Sequence, residues 1–124
     1  MADEITLTWK VTFSKGGTEF TFPDAAKREI KISVTGSRFL HGRQSIGTSV
    51  EALQLGEVVT GGMLFGVNRD ATNYIEIRSG AAGTDLVKAK AGEPFFFRVS
   101  ADTAAPNLIA NTAACEVEYV LIED

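Results

Sequence analysis

Large apolar and polar residues alternate strictly at the beginning of the chain. Ile5, Leu7, Trp9, Val11 and Phe13 are separated by threonines and one lysine. A period of two over nine residues places the large side chains on one face of a β-strand, whereas a helix would scatter them around its circumference. The pattern therefore predicts one strand over residues 5–13.

Two adjacent glycines at residues 16–17 predict a β-hairpin after this strand. Glycine adopts the positive φ that two-residue hairpin turns require. With these glycines as the loop, Phe13 faces Phe20 and Val11 faces Phe22. The four side chains then share one face, where aromatic and branched cross-strand pairs stabilise a sheet.

Short apolar runs bounded by turn residues continue to the end of the chain. Pro23 and the four residues after it allow at most one helical turn. A loop over residues 36–42 is predicted to hold Phe39, Leu40 and His41. Residues 44–55 favour a bulged strand, with a short helix over 49–55 as the alternative. Further strands are predicted over residues 29–35, 63–67, 74–78, 86–91, 95–99, 107–110 and 116–122.

Eight or nine short strands at intervals of roughly ten residues are typical of an all-β sandwich or barrel. The length of 124 residues favours a single domain, residues 1–124, with an antiparallel β-sandwich fold. A jelly roll fits the strand count best, and an immunoglobulin-like sandwich is the alternative.

Composition narrows the classes of function. Twelve Lys+Arg against sixteen Asp+Glu give a net charge of −4, which argues against nucleic acid as a partner. One cysteine and one histidine exclude an internal disulfide and a Cys/His zinc site. The acidic N-terminus and the lack of a long apolar run predict a protein made in the cytoplasm with no membrane partner. We expect no cofactor and no bound metal. Cys115, flanked by small residues, is predicted to be a small buried apolar residue.

No residues form a convincing reaction centre in the sequence. Glu116 and Glu118 share a strand face and could pair as glycosidase carboxylates, but sugar clefts usually add exposed Trp and Tyr. His41 is expected to be a loop residue at a contact surface, since a general base needs a defined nucleophile. Four Asx residues could offer oxygens to calcium but are expected to form ordinary turns: Asn68, Asp70, Asn73 and Asp85. We therefore predict no catalytic residue and no enzymatic activity.

Apolar residues on the outer side of two strands are the more informative feature. Phe96 points opposite to its neighbours, as do Val120 and Ile122. Such strands are covered by a second layer of the domain or by another subunit, and we favour a subunit contact. The candidate contact residues are Phe96, Val120, Ile122, and Thr103, Ala104 and Pro106 of a loop rich in small residues.

Several stretches of the second half resemble small structural proteins of tailed bacteriophages. They are the run from Asn73 to Gly80 (NYIEIRSG), the run from Leu86 to Pro94 (LVKAKAGEP) with Phe97-Arg98, and the run from Pro106 to Thr112 (PNLIANT) leading into Glu116–Tyr119. The resemblance implies a non-enzymatic virion component of β-sandwich or jelly-roll fold. It further implies decoration or cementing of the capsid as a homotrimer, with the major capsid protein or another virion protein as partner.

Two other functions compete with this one. A carbohydrate-binding or receptor-binding module of a tail or fibre would use Phe39 and Tyr74 as ligand contacts. A jelly-roll glycosidase or a cupin is disfavoured, because a cupin needs several metal-binding histidines and the chain has one.

Overall fold

The computed structural model describes residues 3–100 and 105–124, in which every paired strand runs antiparallel. An all-β fold with antiparallel sheets is thereby confirmed. The chain forms two compact units, Met1–Thr35 and Gly36–Asp124. That residues 1–124 form a single domain stays a prediction.

The first unit consists of two separate two-stranded sheets. Strand β1 pairs with β4, and β2 pairs with β3. The predicted single helical turn is present as a 3-10 helix, Ala25–Lys27. The strands are β1 (Ile5–Thr8), β2 (Val11–Lys15), β3 (Thr18–Phe22) and β4 (Glu29–Ile32).

The prediction of one strand over residues 5–13 is wrong. The chain leaves the first strand at Thr8 and begins a new one at Val11, and the two strands have different partners. Between them the Trp9 backbone N–H donates to the Arg28 carbonyl at 2.9 Å. Alternation indicates which side chains lie on the same side of an extended chain. It does not indicate which neighbouring strand the backbone pairs with, so the sequence pattern does not show the change of partner.

The second unit contains eight strands among its described residues. They are β5 (Phe39–Ile46), β6 (Glu51–Ala52), β7 (Gly61–Asn68), β8 (Ile75–Arg78), β9 (Val87–Ala89), β10 (Pro94–Arg98), β11 (Asn107–Ala110) and β12 (Cys115–Glu123). The predicted loop over 36–42 is wrong from Phe39 onward, where β5 begins. The predicted bulged strand over 44–55 is instead the end of β5 and the two-residue β6, and residues 49–55 form no helix.

Two four-stranded sheets form a β-sandwich in this unit. Their strand orders are β10-β7-β12-β5 and β6-β11-β8-β9. Leu64, Tyr119 and Leu121 of the first sheet belong to the same buried cluster as Ile75 and Leu108 of the second. Among the described strands of this unit, β8 and β9 alone are neighbours both in sequence and in their sheet, so crossovers join the two layers. The finer choice of a jelly roll over an immunoglobulin-like sandwich stays a prediction.

Strand β12 lies at the centre of the first sheet, between β5 and β7. Its Val117, Tyr119 and Leu121 side chains are buried, as the alternation predicts. The Tyr119 hydroxyl donates to the Gln54 carbonyl at 2.6 Å, which gives the buried phenol its hydrogen bond. The opposite side of the sheet, formed by Glu118, Val120 and their neighbours, is called the outer face below.

Candidate interaction surface

The β2–β3 hairpin carries the largest exposed apolar side chains of the first unit. Its turn uses Gly16 and Gly17 at φ values of +61° and +82°, the left-handed region that a two-residue turn requires. Phe13 pairs with Phe20, and Val11 with Phe22. The hairpin and its register are therefore confirmed as predicted.

Four side chains form one continuous face of this hairpin, called the arm face below: Val11, Phe13, Phe20 and Phe22. Each is between 48% and 59% exposed. At half exposure these side chains leave about 400 Å² of apolar surface in water. Patches of roughly 300–600 Å² are the largest on ordinary monomers and often bind partners.

Aromatic contacts and polar residues define the edges of the arm face. The Trp9 ring meets Phe22 edge to face, with ring centroids 5.3 Å apart. Alternation places Lys15 and Thr18 on the same side at the tip, where they are cross-strand partners. The opposite side of the hairpin carries Thr12, Ser14, Glu19 and Thr21. The hairpin is thus amphipathic, with an aromatic side and a hydroxyl-rich side.

A second, smaller apolar area lies on the outer face of the sandwich. Phe96 is 47% exposed, and its ring stacks on Phe65 with centroids 5.9 Å apart. Phe65 in turn pairs with Val120, which is half-buried, as is Ile122. The predicted outward orientation of these side chains is what the structure has, and Phe96 offers the most surface of the three.

The other candidate contacts differ in their surroundings. Thr103 and Ala104 lie outside the described residues. Pro106 is buried on the wall of a cleft of about 300 Å³ that Val87 and Phe97 also line. Its carbonyl accepts the Leu53 backbone N–H at 2.9 Å, so Pro106 presents little surface to a partner.

Charged side chains surround Glu118, which lies beside Phe65 and Val120 on the outer face. His41 Nε2 lies 2.8 Å from one carboxylate oxygen of Glu118, and Arg69 Nε donates to the other at 2.9 Å. Arg43 donates to Glu116 at 2.6 Å. The His41 hydrogen bond, then that of Arg69, lowers the pKa of Glu118. A glycosidase general acid needs the opposite shift, so this carboxylate is suited to ion pairing.

The expectation that His41 lies in a loop is wrong. His41 is on β5 opposite Val120, and its side chain reaches the next cross-strand row to meet Glu118. A shallow groove of about 270 Å³ joins His41 and Arg69 to Phe65 and Val120. Gly36 and Gly42 favoured the loop prediction for this segment, but its residues from Phe39 onward form β5, which pairs with β12.

The two predicted ligand contacts belong to different parts of the sandwich: Phe39 lies in one sheet and Tyr74 precedes a strand of the other. Phe39 begins β5 and is 69% exposed. Tyr74 directly precedes β8, and the Lys88 ammonium lies 4.3 Å from its ring centroid. The structure thus does not join Phe39 and Tyr74 into one aromatic platform, and their role in ligand binding stays a prediction.

The Asx residues considered for calcium are engaged in turns and ion pairs. Buried Asn68 donates to the Asn73 and Ala89 carbonyls. Asp70 accepts the backbone N–H groups of Asn73 and Thr72, which lowers its pKa. Asp85 pairs with Arg78 at 2.7 Å. Residues 3–100 and 105–124 contain no group of three or more His, Cys, Asp or Glu placed to hold a metal ion.

Two remaining features concern Cys115 and membrane spans. Cys115 is fully buried, as predicted, and burial raises the pKa of its thiol. In the described part of the chain, no helix has the length and apolar character to cross a bilayer.

Sequence reasoning missed the exposure of the arm face. It placed the four side chains on one side correctly but did not predict that this side is exposed. A usable signal was present: the predicted turn leaves only two short strands before Pro23, and a lone hairpin has no second layer of its own.

No family model, curated protein or solved structure matches this chain.

Proposed function

We propose that this chain is a non-enzymatic structural protein of a tailed-phage virion, which decorates or cements the capsid through apolar contacts. The observation that carries the proposal is the arm face, whose four large side chains are each about half exposed. Surface of this kind on a folded protein is typical of a binding site for another protein.

The physical argument concerns the stability of the hairpin. An isolated two-stranded hairpin is marginal in water, and this one exposes its apolar side. Covering about 400 Å² would contribute roughly 10 kcal/mol before the costs of association. Repetition of the contact over many capsid sites would add avidity.

Two further observations support this function. Phe96 and the half-buried Val120 add apolar surface on the outer face of the sandwich. The phage context rests on the resemblance of residues 73–119, which also motivates the virion as location and a homotrimer as the assembly state on the capsid. The predicted partners are other copies of the chain and the major capsid protein.

Co-sedimentation with empty capsids of the encoding phage tests the proposal. Purified protein is expected to pellet with the capsids and to saturate at hundreds of copies per particle, the number expected of a shell component. Phe13→Thr should weaken binding at least about tenfold, because it removes a central ring of the arm face. Ser14→Thr, the adjacent position on the opposite side, is the matched control. Absence of the protein from purified particles, together with no pelleting, would contradict the proposal.

A tail or fibre module that binds sugar remains the second candidate, favoured by the exposure of Phe39. One reproducible ligand on a glycan array, lost with Phe39→Ala or Tyr74→Ala, would promote it. Retention of that ligand by both variants would count against these two contacts.

A further inference from the structure

We infer that the arm face binds the same face of a second copy of this chain, with the two hairpins stacked face to face and antiparallel. The inference rests on the proposed function only in taking the hairpin as a contact element. It adds the identity of the occupant and the geometry of the contact.

The chemistry of the arm face favours an identical partner. Two of its three cross-strand rows, Val11–Phe22 and Phe13–Phe20, contain no hydrogen-bonding side chain. A polar partner would leave its own groups unpaired against these rows. A second arm face offers apolar surface of the same width, and apolar sheet faces pack about 10 Å apart.

Charge selects the relative direction of the two hairpins. Lys15 is the one charged residue that alternation places on the arm side of β2 and β3, and it lies at the tip. A parallel stack would bring the two Lys15 ammonium groups together. The antiparallel stack separates them and sets each over the base of the partner hairpin, where Trp9 and Phe22 provide aromatic rings for a cation.

Net charge also favours approach through the first unit. Residues 1–35 contain five Lys+Arg and five Asp+Glu, whereas residues 36–124 contain seven and eleven. Two copies that meet through their second units bring together net charges of −4, while a contact through the arms joins neutral segments.

The buried area sets the expected strength of the pair. Two arm faces bury about 800 Å² in total, below the 1,200–2,000 Å² of stable specific complexes. The pair should therefore be weak and reversible in solution. On a capsid the same contact would gain from the high local concentration of bound copies.

Sedimentation velocity across micromolar to millimolar concentrations tests the pairing. The wild-type chain is expected to shift reversibly from monomer to dimer. Phe20→Glu should weaken the association at least about tenfold, because a carboxylate in the contact must be desolvated without a partner. Thr21→Glu places the same charge one residue later, on the opposite side of β3, and should associate like the wild type.

Fluorescence of Trp9, the single tryptophan of the chain, tests the antiparallel direction. A nitroxide is attached to Thr18→Cys, at the cross-strand partner of Lys15, so that Lys15 keeps its charge. The labelled copy carries Trp9→Phe and is mixed with unlabelled wild type, while buried Cys115 stays unlabelled. The label at the tip should quench the Trp9 emission of the partner as concentration rises. The same label on Ser14→Cys, on the opposite side of the hairpin, should quench it less.

The outcomes separate this inference from the proposed function. A chain that stays monomeric throughout, or equal association of Phe20→Glu and Thr21→Glu, overturns the inference; continued capsid binding would then leave the proposed function standing with another occupant on the arm face. Loss of capsid binding with intact pairing would overturn the proposed function and leave the inference standing. Equal quenching from positions 14 and 18 would overturn the antiparallel geometry.

Discussion

At the scale of single residues, Gly66 shows how closely the sandwich core is packed. It lies on β7 opposite Tyr119, and a Cβ there would overlap the Phe95 ring. Gly42 lies opposite the same Tyr119 on the other neighbouring strand, with nothing within 4 Å of an added Cβ. Of these two glycines in one cross-strand row, Gly66 alone has a neighbour that excludes a larger side chain.

Gly66→Ala is expected to destabilise the protein by about 1–3 kcal/mol, because the Phe95 ring must move or the strand must shift. Gly42→Ala is the matched control and should be neutral or slightly stabilising, since alanine costs less backbone entropy than glycine in a strand. Urea unfolding measures both. Equal effects of the two substitutions would show that Phe95 does not fill the space beside Gly66.

At the scale of elements, the β2–β3 hairpin depends on its two-residue turn. Both glycines have positive φ, at which a residue with a Cβ is strained. The side chains of β2 and β3 are exposed, so the turn and the cross-strand pairs provide the order that burial supplies elsewhere.

Replacement of Gly16 and Gly17 together by alanine should destabilise the hairpin by about 1–2 kcal/mol for each residue. Hydrogen exchange of the amides in β2 and β3 measures the loss as faster exchange confined to residues 11–22. Asn-Gly at the same positions is the control and should preserve protection, because it favours the same turn. Fast exchange in both variants would mean that the turn does not set the order of the hairpin.

The hairpin also shows what the sequence could and could not predict. A two-residue turn fixes its register by counting, so Phe13 and Phe20 were paired correctly. Whether that face is covered depends on contacts between distant segments, which local alternation does not encode. The same limit explains His41: its role comes from Glu118, which is 77 residues away in sequence and meets it only when β5 pairs with β12.

At the scale of the whole molecule, Glu118 connects three parts of the second unit. His41 lies on β5, Glu118 on β12, and Arg69 directly after β7. The lowered pKa of Glu118 means that the folded state favours its ionised form. Its contribution to stability is present above the usual value of 4.5 and is lost as pH falls through the folded-state pKa.

Glu118→Gln should therefore lower the thermal midpoint at neutral pH, and the difference from wild type should vanish in acid. Thermal unfolding followed by circular dichroism between about pH 7 and pH 3 measures it. Glu57→Gln makes the same change of charge at an exposed position and so separates the effect of the ion pairs from that of net charge. A difference that persists unchanged in acid would refute the assignment to ion pairing.

The buried cluster of the sandwich draws all its members from residues 46–121, while the arm face is formed by residues 11–22. Substitutions on the arm therefore escape the packing constraints that govern the sandwich. Over evolutionary time, the aromatic residues of the hairpin can therefore be exchanged while the sandwich sequence hardly changes. Variation among related chains should consequently be greatest in the segment that makes the contact and least in β7 and β12.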